Sequence, residues 1–217
     1  MYYAILMADI LDSGEKDSNE LMLEFKHTVD YINDNWKKSI ISPLTITLGD
    51  EFQAVIDNVQ NGIDIIIDIE EFILAKQLSF KLRYVLNFGK IETKINREVA
   101  YEMLGEGLTD ARKELSNLKN SESRFLIKLK KEDSRIERML NDTFRIFQYY
   151  IDSWKISEYQ IASDFIMHND YKTIADKFGV NRSTAWRRRK SLNIEEFETV
   201  KKIISNLTYM YEHNFSK

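Results

Sequence analysis

The sequence contains no cysteine, and this absence excludes disulfide bonds, cysteine-ligated zinc, iron–sulfur clusters and thiol nucleophiles. Histidine is scarce as well. His27, His168 and His213 lie far apart and show no repeated ligand spacing. We therefore expect no zinc site in this protein.

Long apolar runs are also missing. Acidic residues interrupt the richest apolar stretch at Asp64, Asp68, Glu70 and Glu71. The stretch therefore falls short of the roughly 20 continuous apolar residues that span a bilayer. The apolar start of the chain ends at Asp9. It therefore lacks the length of a signal peptide, and it also lacks the basic residues that begin one. We expect a cytoplasmic protein without a membrane partner.

The composition is that of a globular protein, with 43% hydrophobic and 30% charged residues in a chain of 217. This length predicts two domains, which we place at residues 1–150 and 151–217. Residues 151–217 contain eleven lysines and arginines against nine acidic residues, a net charge of +2, which leaves −6 for residues 1–150. The sequence thus predicts a basic patch on an acidic protein.

Hydrophobic periodicity predicts an α+β fold for the N-terminal part. Strands are predicted over 2–9, 44–48, 51–56 and 79–88, and helices over 19–36 and 59–76. Pro43, the only proline, is expected to close the loop before the second strand, and Gly49-Asp50 to turn a hairpin. The order β-α-β-β-α-β is that of the ferredoxin-like fold, an antiparallel sheet with both helices on one face.

Three further elements are predicted after this unit. They are a helix over 97–118, a strand over 124–129 that extends the sheet, and an amphipathic connecting helix over 132–154. The domain boundary is placed near the end of the connecting helix.

The segment from Tyr171 to Leu192 predicts a helix-turn-helix within an all-α C-terminal domain. Ala175 is small where two helices would cross, and Gly179 lies four residues later in the predicted turn. A supporting helix is predicted over 156–167. Such a motif places the start of its second helix in the major groove of DNA. The residues expected to contact DNA are Asn181, Arg182, Ser183, Thr184, Trp186, Arg187, Arg188 and Lys190.

The same segment also fits an ordinary helical hairpin with a solvated basic face. Arg189 stands where an apolar residue commonly packs in a helix-turn-helix. A terminal helix over 195–211 has an apolar face that either packs internally or mediates dimerisation. Because isolated helix-turn-helix units usually bind two half-sites, we expect a homodimer.

Two aspartates mark a candidate metal site in the N-terminal part. Asp9 ends the first strand and Asp50 lies in the hairpin, and the strands involved are neighbours in a ferredoxin-like sheet. Carboxylate oxygens bind Mg²⁺ or Mn²⁺, and such an ion can hold a nucleoside triphosphate. Glu51 is a third candidate ligand. Taken singly, each aspartate also fits an ordinary helix cap or turn.

The loop 12–14 is a weaker candidate for phosphate binding. Its backbone N–H groups, including that of Ser13, are able to surround phosphate oxygens. A lone glycine in a polar loop is equally consistent with a simple turn.

These motifs resemble the palm of nucleotide cyclases. Ala8-Asp9-Ile10, followed by Leu48-Gly49-Asp50-Glu51-Phe52, is similar to that palm, including the Gly-Asp-Glu-Phe hairpin of diguanylate-type cyclases. Residues 86–91 (LNFGKI) and 105–113 (GEGLTDARK) resemble later segments of class III cyclases, so the resemblance covers most of residues 1–130. With the helix-turn-helix included, the whole chain more closely resembles the SatD family of bacterial proteins.

The resemblance implies a nucleotide site with Asp9, Asp50 and Glu51 around the metal. Its further implied contacts to the nucleotide are Ile10, Gly49, Thr109 and Lys113. In the cyclases, the helix that matches 105–118 presents an asparagine and an arginine one turn apart to stabilise the transition state. Thr109 and Lys113 hold those places here, so Lys113 is the one candidate catalytic residue. A lysine offers a point charge and not the bidentate contact of an arginine.

The sequence as a whole therefore predicts a DNA-binding regulator whose palm-like domain senses a nucleotide and a metal through Asp9 and Asp50. Two alternatives stay open. One is a nucleotide cyclase or nucleotidyltransferase-like enzyme that uses Mg²⁺ or Mn²⁺ and is localised by its helix-turn-helix. The other is a degenerate palm that serves as a dimerisation scaffold.

Overall fold

The computed structural model describes residues 1–11, 18–47, 49–168 and 170–214. Its strands are β1 (Tyr2–Ile10), β2 (Ile40–Ile46), β3 (Glu51–Ile56), β4 (Leu82–Lys90) and β5 (Phe125–Lys128). Its α-helices are α1 (Ser18–Asn35), α2 (Val59–Lys76), α3 (Glu106–Leu118), α4 (Ser134–Ser153), α5 (Ile156–His168), α6 (Tyr171–Lys177), α7 (Arg182–Ser191) and α8 (Ile194–Asn214). The N-terminal part is thus an α+β fold.

The five strands form one mixed sheet in the order β2-β3-β1-β4-β5. The first four strands pair antiparallel with one another, which confirms the predicted arrangement of the β-α-β-β-α-β unit. The prediction of a wholly antiparallel sheet is wrong, because β5 pairs parallel to β4. A parallel neighbour needs a crossover connection, and α3 supplies it.

Alternating side chains of the strands cover two different hydrophobic cores. One core lies between the sheet and the pair α1 and α2, where Leu6 of β1 and Phe52 of β3 are fully buried. The other lies between the sheet and α3, and it contains Ile5 and Met7 of β1. Since Asp9 follows Met7 by two residues, it belongs to the α3 side of the sheet.

Two predicted boundaries differ most from the structure, at the starts of β2 and α3. β2 begins at Ile40 and contains Pro43, which was expected in a loop. A proline is tolerated there because β2 is the edge strand of the sheet and its register shifts on either side of Ser42. The helix predicted over 97–118 begins only at Glu106.

Residues before α3 cross the β2–β3 end of the sheet as an irregular segment. The side chain of Gln53 donates a hydrogen bond to the carbonyl of Ala100 at 2.7 Å. The N–H of Ala100 donates to the hydroxyl of Thr45 at 2.9 Å. These contacts to the sheet replace the hydrogen bonds that a helix would form within itself.

The C-terminal helices pack directly on the N-terminal unit. Phe147 of α4 stacks on Phe197 of α8 with 5.2 Å between ring centroids, and Trp154 meets Phe197 at 5.0 Å. Buried residues from β1 to Tyr211 form one continuous cluster. The boundary at residues 150 and 151 stays a prediction. None of the helices in the described ranges is long and apolar enough to cross a membrane.

Candidate functional site

Asp9 is buried at the end of β1, with 4% of its surface exposed. Its carboxylate accepts two hydrogen bonds from the guanidinium of Arg83, one from Nε at 2.8 Å and one from Nη2 at 3.1 Å. This contact follows from the sheet register, which places Arg83 of β4 directly beside Asp9. Lys119, which follows α3, holds its ammonium 3.6 Å from the second carboxylate oxygen. Two cations thus face one buried carboxylate.

Glu51 lies on the other side of Asp9, on β3, as its partner in the strand register. Its Oε1 accepts a hydrogen bond from the hydroxyl of Thr47 at 3.0 Å. The same oxygen lies 2.9 Å from Nη1 of Arg112 on α3. Glu51 is therefore also compensated by a cation.

The hairpin brings Asp50 to the same end of the sheet. Its carbonyl accepts a hydrogen bond from the N–H of Ile10 at 2.9 Å. Gly49 has φ +89°, a backbone conformation that favours glycine. The side chain of Ile10 is buried in the core on the α1 and α2 side, so this residue reaches the site with its backbone only. Ser13 lies outside the described residues.

Thr109 and Lys113 lie one turn apart on α3. Together they line a groove of about 400 Å³ with Gln53, Met103, Leu108, Arg112 and Ser116. The Thr109 hydroxyl donates to the carbonyl of Gly105 at 3.4 Å, within its own helix. The groove offers two cationic side chains, Arg112 and Lys113, and these are suited to phosphate or carboxylate groups.

The carboxylates at this end of the sheet fit a divalent ion only in part. In the described parts of the chain, no three His, Cys, Asp or Glu side chains converge on one point. A cage made wholly by the protein is therefore not present among these residues. Mg²⁺ commonly binds through one or two carboxylates and completes its coordination with substrate phosphates and water. The assignment of Asp9 and Asp50 to such a site stays a prediction, because the carboxylate of Asp9 is paired with Arg83 and Lys119 in the structure.

Sequence reasoning did not identify three cations of this site, Arg83, Arg112 and Lys119. A signal for Arg83 existed, because it lies between Leu82 and Tyr84, whose side chains fill the core on the opposite side of the sheet. Its side chain had to face α3, as Asp9 does. The positions of Arg112 and Lys119 depend on how α3 crosses the sheet, and no local pattern specifies that crossing.

A second polar region lies on α6 and α7, which are joined by a turn in which Gly179 has φ +63°. Asn181 caps α7: its side-chain oxygen accepts hydrogen bonds from the N–H of Thr184 at 2.8 Å and from the hydroxyl of Ser183 at 2.7 Å. Ala185 is the buried residue of α7. Arg182, Ser183, Thr184, Trp186 and Arg187 are exposed.

Two of the exposed cations of this region lie near carboxylates. Arg188 is 3.4 Å from Glu158 of α5, and Lys190 is 3.2 Å from Glu195 of α8. These are surface contacts, which solvent and salt weaken. The basic face of α7 therefore stays open to a charged partner.

Arg189, the unusual residue of this segment, is half-buried against α6. Its guanidinium lies 5.5 Å from the ring centroid of Tyr171 and donates a hydrogen bond to the Tyr171 hydroxyl at 2.8 Å. The arginine thus packs its planar group on an aromatic ring where an aliphatic side chain was expected. This contact joins α7 to the start of α6.

The chain is similar to one protein family and to several solved structures. The model of the SatD family matches residues 2–208. No curated protein matches the sequence. A bacterial light-regulated adenylyl cyclase is similar in structure, with a TM-score of 0.42, 14% identity, and coverage of 58% of this chain and 74% of the cyclase chain.

The guanylyl or guanylate cyclase domains of two further proteins are similar as well. The domain of the RhoGC fusion protein from Blastocladiella emersonii gives a TM-score of 0.40 and 17% identity, over 53% of this chain and 73% of its own. The domain of RhGC from Catenaria anguillulae gives a TM-score of 0.37 and 16% identity, over 53% of this chain and 72% of its own.

Proposed function

The chain belongs to the SatD family, and we propose that its sheet binds a nucleoside triphosphate with Mg²⁺ or Mn²⁺ at the end that carries Asp9 and Asp50. The observation that carries this proposal is the close association of two carboxylates, the buried Asp9 and the partly buried Glu51, with cations on the α3 side of the sheet. Carboxylates suit the metal, and the surrounding cations suit the phosphates. The cations are Arg83, Arg112, Lys113 and Lys119.

Asp9 and Asp50 would hold the ion, whose charge would offset that of the phosphates. The bound ion would weaken the attraction of Asp9 for Arg83 and Lys119. Both cations become available to phosphate oxygens, and Arg83 contributes a planar, bidentate contact. The ion pairs of the free protein thus hold Arg83, Lys119 and Arg112 in place until a charged ligand arrives.

Binding without turnover is the function that we propose. Thr109 and Lys113 occupy the places where the resemblance to cyclases implies an asparagine and an arginine. Lys113 is able to attract a phosphate, but it lacks the fixed fork with which an arginine stabilises a transition state. A sensor of nucleotides needs the affinity and not the rate enhancement.

Isothermal titration calorimetry of the full chain with ATP and with GTP, in the presence of Mn²⁺, tests this proposal. We expect saturable binding that is lost in Asp50→Asn and retained in the matched variant Asp57→Asn, which removes an exposed carboxylate before α2. Equal binding by all three proteins would contradict the proposal. A chromatographic assay for cyclic or linked nucleotides in the same mixtures decides between the sensor and the enzyme, which would form product.

DNA binding by α7 is a second candidate function. The observation that favours it is the combination of a capped helix start, a single buried anchor at Ala185, and exposed cations over the rest of the helix. A helix that presents short polar residues at its start and arginines further along is suited to base edges and phosphates respectively. If a bound nucleotide changed the DNA affinity, the protein would be a DNA-binding regulator. A DNA site with two half-sites would be bound by a homodimer.

Fluorescence anisotropy with labelled duplex DNA of random sequence and of genomic fragments tests this second function. We expect binding that weakens with salt and is lost in Arg182→Ala/Arg187→Ala. The control variant Lys37→Ala/Lys38→Ala removes two lysines from the turn after α1 and should bind as the wild type does. Equal losses in both double variants would indicate non-specific attraction and contradict a role for α7. An unchanged DNA affinity on addition of a bound nucleotide would contradict the regulatory link.

A further inference from the structure

A cavity of about 650 Å³ opens beside Asp9 at the end of the sheet. Its walls come from the end of β1, the start of β4, the segment between α3 and β5, and the last turns of α4. This volume is within the usual range for sites that bind small molecules. The cations that line it are Lys81, Arg83, Lys119 and Arg124, and serines 79, 121 and 123 supply hydroxyl groups.

One cation of the cavity, Arg124, is fully engaged in ion pairs with the protein itself. Arg124 donates to both carboxylate oxygens of Glu70, at 2.8 and 2.7 Å, and lies 3.2 Å from Asp152. Its pair with Glu70 is almost fully buried. Arg124 is therefore part of the wall and is not available to a ligand.

The other three cations can be shared with a ligand. Lys81 lies 3.0 Å from Asp152, and its side chain is 40% exposed. Among the residues that the structure describes, the side chain of Lys119 contacts only Asp9, at 3.6 Å, and it is 59% exposed. Arg83 joins Asp9 to the cavity wall. The contacts of the exposed Lys81 and Lys119 are weak, so an anion of higher charge would compete for these two lysines. Arg83 pairs with the buried Asp9, and it becomes available to a ligand when the charge of Asp9 is offset.

The formal charges of the described residues in and around the cavity cancel. Among the described residues, four cations line it, and four acidic residues either line it or pair with those cations: Asp9, Glu70, Glu122 and Asp152. A neutral wall attracts an anion poorly. If the charge of Asp9 is offset, the balance becomes positive and the cavity attracts anions.

We propose that this cavity is a polyphosphate-binding site whose affinity is set by Asp9. Lys81, Lys119 and Arg83 would contact the phosphate oxygens, and Asp9 would compete with the ligand for the last two cations. The ligand class is a chain of phosphates, free or as part of a nucleotide. The metal-dependent form of this inference rests on the proposed nucleotide function, because a divalent ion on Asp9 would open the site to the anion.

The test uses inorganic tripolyphosphate and the full chain in isothermal titration calorimetry. In EDTA, where no divalent ion is free, Asp9→Asn should bind tripolyphosphate roughly tenfold more tightly than the wild type, because two charge-assisted contacts are released to the ligand. Asp34→Asn removes the same charge from the exposed end of α1 and should leave the affinity unchanged. Circular dichroism of the variants confirms that each is folded.

Lysine variants test the site independently of Asp9. With the preformed manganese–tripolyphosphate complex, Lys81→Gln and Lys119→Gln should each weaken binding roughly five- to tenfold. Lys94→Gln removes an exposed lysine after β4, at the opposite end of the sheet, and should have no effect. Equal weakening by Lys94→Gln, or none by Lys81→Gln and Lys119→Gln, would overturn the inference.

Asp9→Asn also separates the two proposals. It should abolish manganese-dependent nucleotide binding if the proposed function is correct, and raise metal-free tripolyphosphate binding if the inference is correct. If Asp9→Asn abolishes manganese-dependent nucleotide binding but does not strengthen metal-free tripolyphosphate binding, the inference alone is overturned. If Asp9→Asn strengthens metal-free tripolyphosphate binding, but nucleotide binding does not change in the Asp9 and Asp50 variants, the proposed function alone is overturned.

Discussion

Arg124 joins three parts of the molecule through one buried guanidinium. It precedes β5 and bonds to Glu70 of α2, which in turn accepts a hydrogen bond from the Tyr84 hydroxyl of β4 at 2.7 Å. It also contacts Asp152 of α4. Burial alone would lower the pKa of Arg124. The carboxylates of Glu70 and Asp152 raise the pKa by more than burial lowers it, so the pKa of Arg124 lies above its usual value. The guanidinium therefore stays charged in the core.

Removal of one partner of the buried ion pair between Arg124 and Glu70 should strongly destabilise the protein. We predict that Arg124→Met lowers the free energy of unfolding by about 3–5 kcal/mol, because Glu70 is left buried without a counter-charge. The double variant Arg124→Met/Glu70→Leu removes both charges and should regain most of the loss. Urea unfolding followed by circular dichroism measures both. A single variant within 1 kcal/mol of the wild type would show that water reaches Glu70.

At the same scale, the sheet faces of Asp9 and Arg83 were predictable from strand alternation, and the pairing of Glu51 with Arg112 was not. The alternation of β1 places Asp9 on the opposite face from Ala8 and Ile10, so its approach to the third strand followed from the sequence. The ion pair of Glu51 with Arg112 joins residues that are 61 positions apart, on elements whose crossing is set by packing. Likewise, only the structure explains Arg189, which packs on Tyr171.

At the scale of elements, α3 depends on two glycines that allow it to approach β4. A Cβ atom on Gly107 would lie 2.6 Å from the carbonyl carbon of Gly89, which is backbone and cannot rotate away. Asn87 of β4 also donates a hydrogen bond to the carbonyl of Gly107 at 2.8 Å. The first turn of α3, and with it Thr109 and Lys113, is positioned by this contact.

Gly107→Ala should therefore displace α3 from the sheet. We predict a loss of about 1–3 kcal/mol in the free energy of unfolding, the usual cost of inserting a methyl group into a packed contact, and weaker nucleotide binding. Asn117→Ala, at an exposed position of the same helix outside the groove, is the matched control. If Gly107→Ala is as stable as that control, the close contact does not determine the position of α3.

The cap of α6 predicts a response to acid. Asp170 accepts hydrogen bonds from the hydroxyl of Thr173 at 2.6 Å and from the N–H groups of Lys172 and Thr173 at 3.1 Å each, and these bonds lower the pKa of its carboxyl. Because the folded pKa lies below the unfolded value of about 3.9, the cap stabilises α6 above that pH and is lost as the pH falls through the folded pKa.

We predict that amide protection of residues 171–177, measured by hydrogen exchange and corrected for intrinsic rates, falls below about pH 4. Asp170→Asn keeps an acceptor oxygen that does not titrate, so its protection should depend less on pH over this range. An identical acid response in both proteins would assign the effect to another group.

Elements with strong local signals were predicted well, and those governed by tertiary contacts were not. The helix α2 was predicted at its observed bounds, since Asn58 caps its start through a hydrogen bond to the N–H of Asn61 and its apolar residues repeat at helical spacing. The start of α3 was placed nine residues too early, at residue 97 and not at Glu106. There, hydrogen bonds to the sheet outweigh the local helical pattern.

At the scale of the whole molecule, the core crosses the predicted domain boundary. Phe147 of α4 lies between Phe144 on one side and Phe197 of α8 on the other, and Glu71 of α2 forms an ion pair with Lys201 of α8. We predict that a fragment of residues 1–150 loses cooperative unfolding, because it exposes the apolar faces of α2 and α4. A fragment that unfolds cooperatively with the stability of the full chain would support two independent domains.

The most direct test of the nucleotide site is the shift in melting temperature on addition of ATP or GTP with Mn²⁺. A ligand that binds the folded state at one hundred times its dissociation constant stabilises it by about 2.7 kcal/mol. We predict a clear, metal-dependent increase for the wild type and none for Asp9→Ala/Asp50→Ala. A wild type that shows no shift with either nucleotide, or a double variant that shifts equally, would contradict the assignment of Asp9 and Asp50 to a nucleotide site.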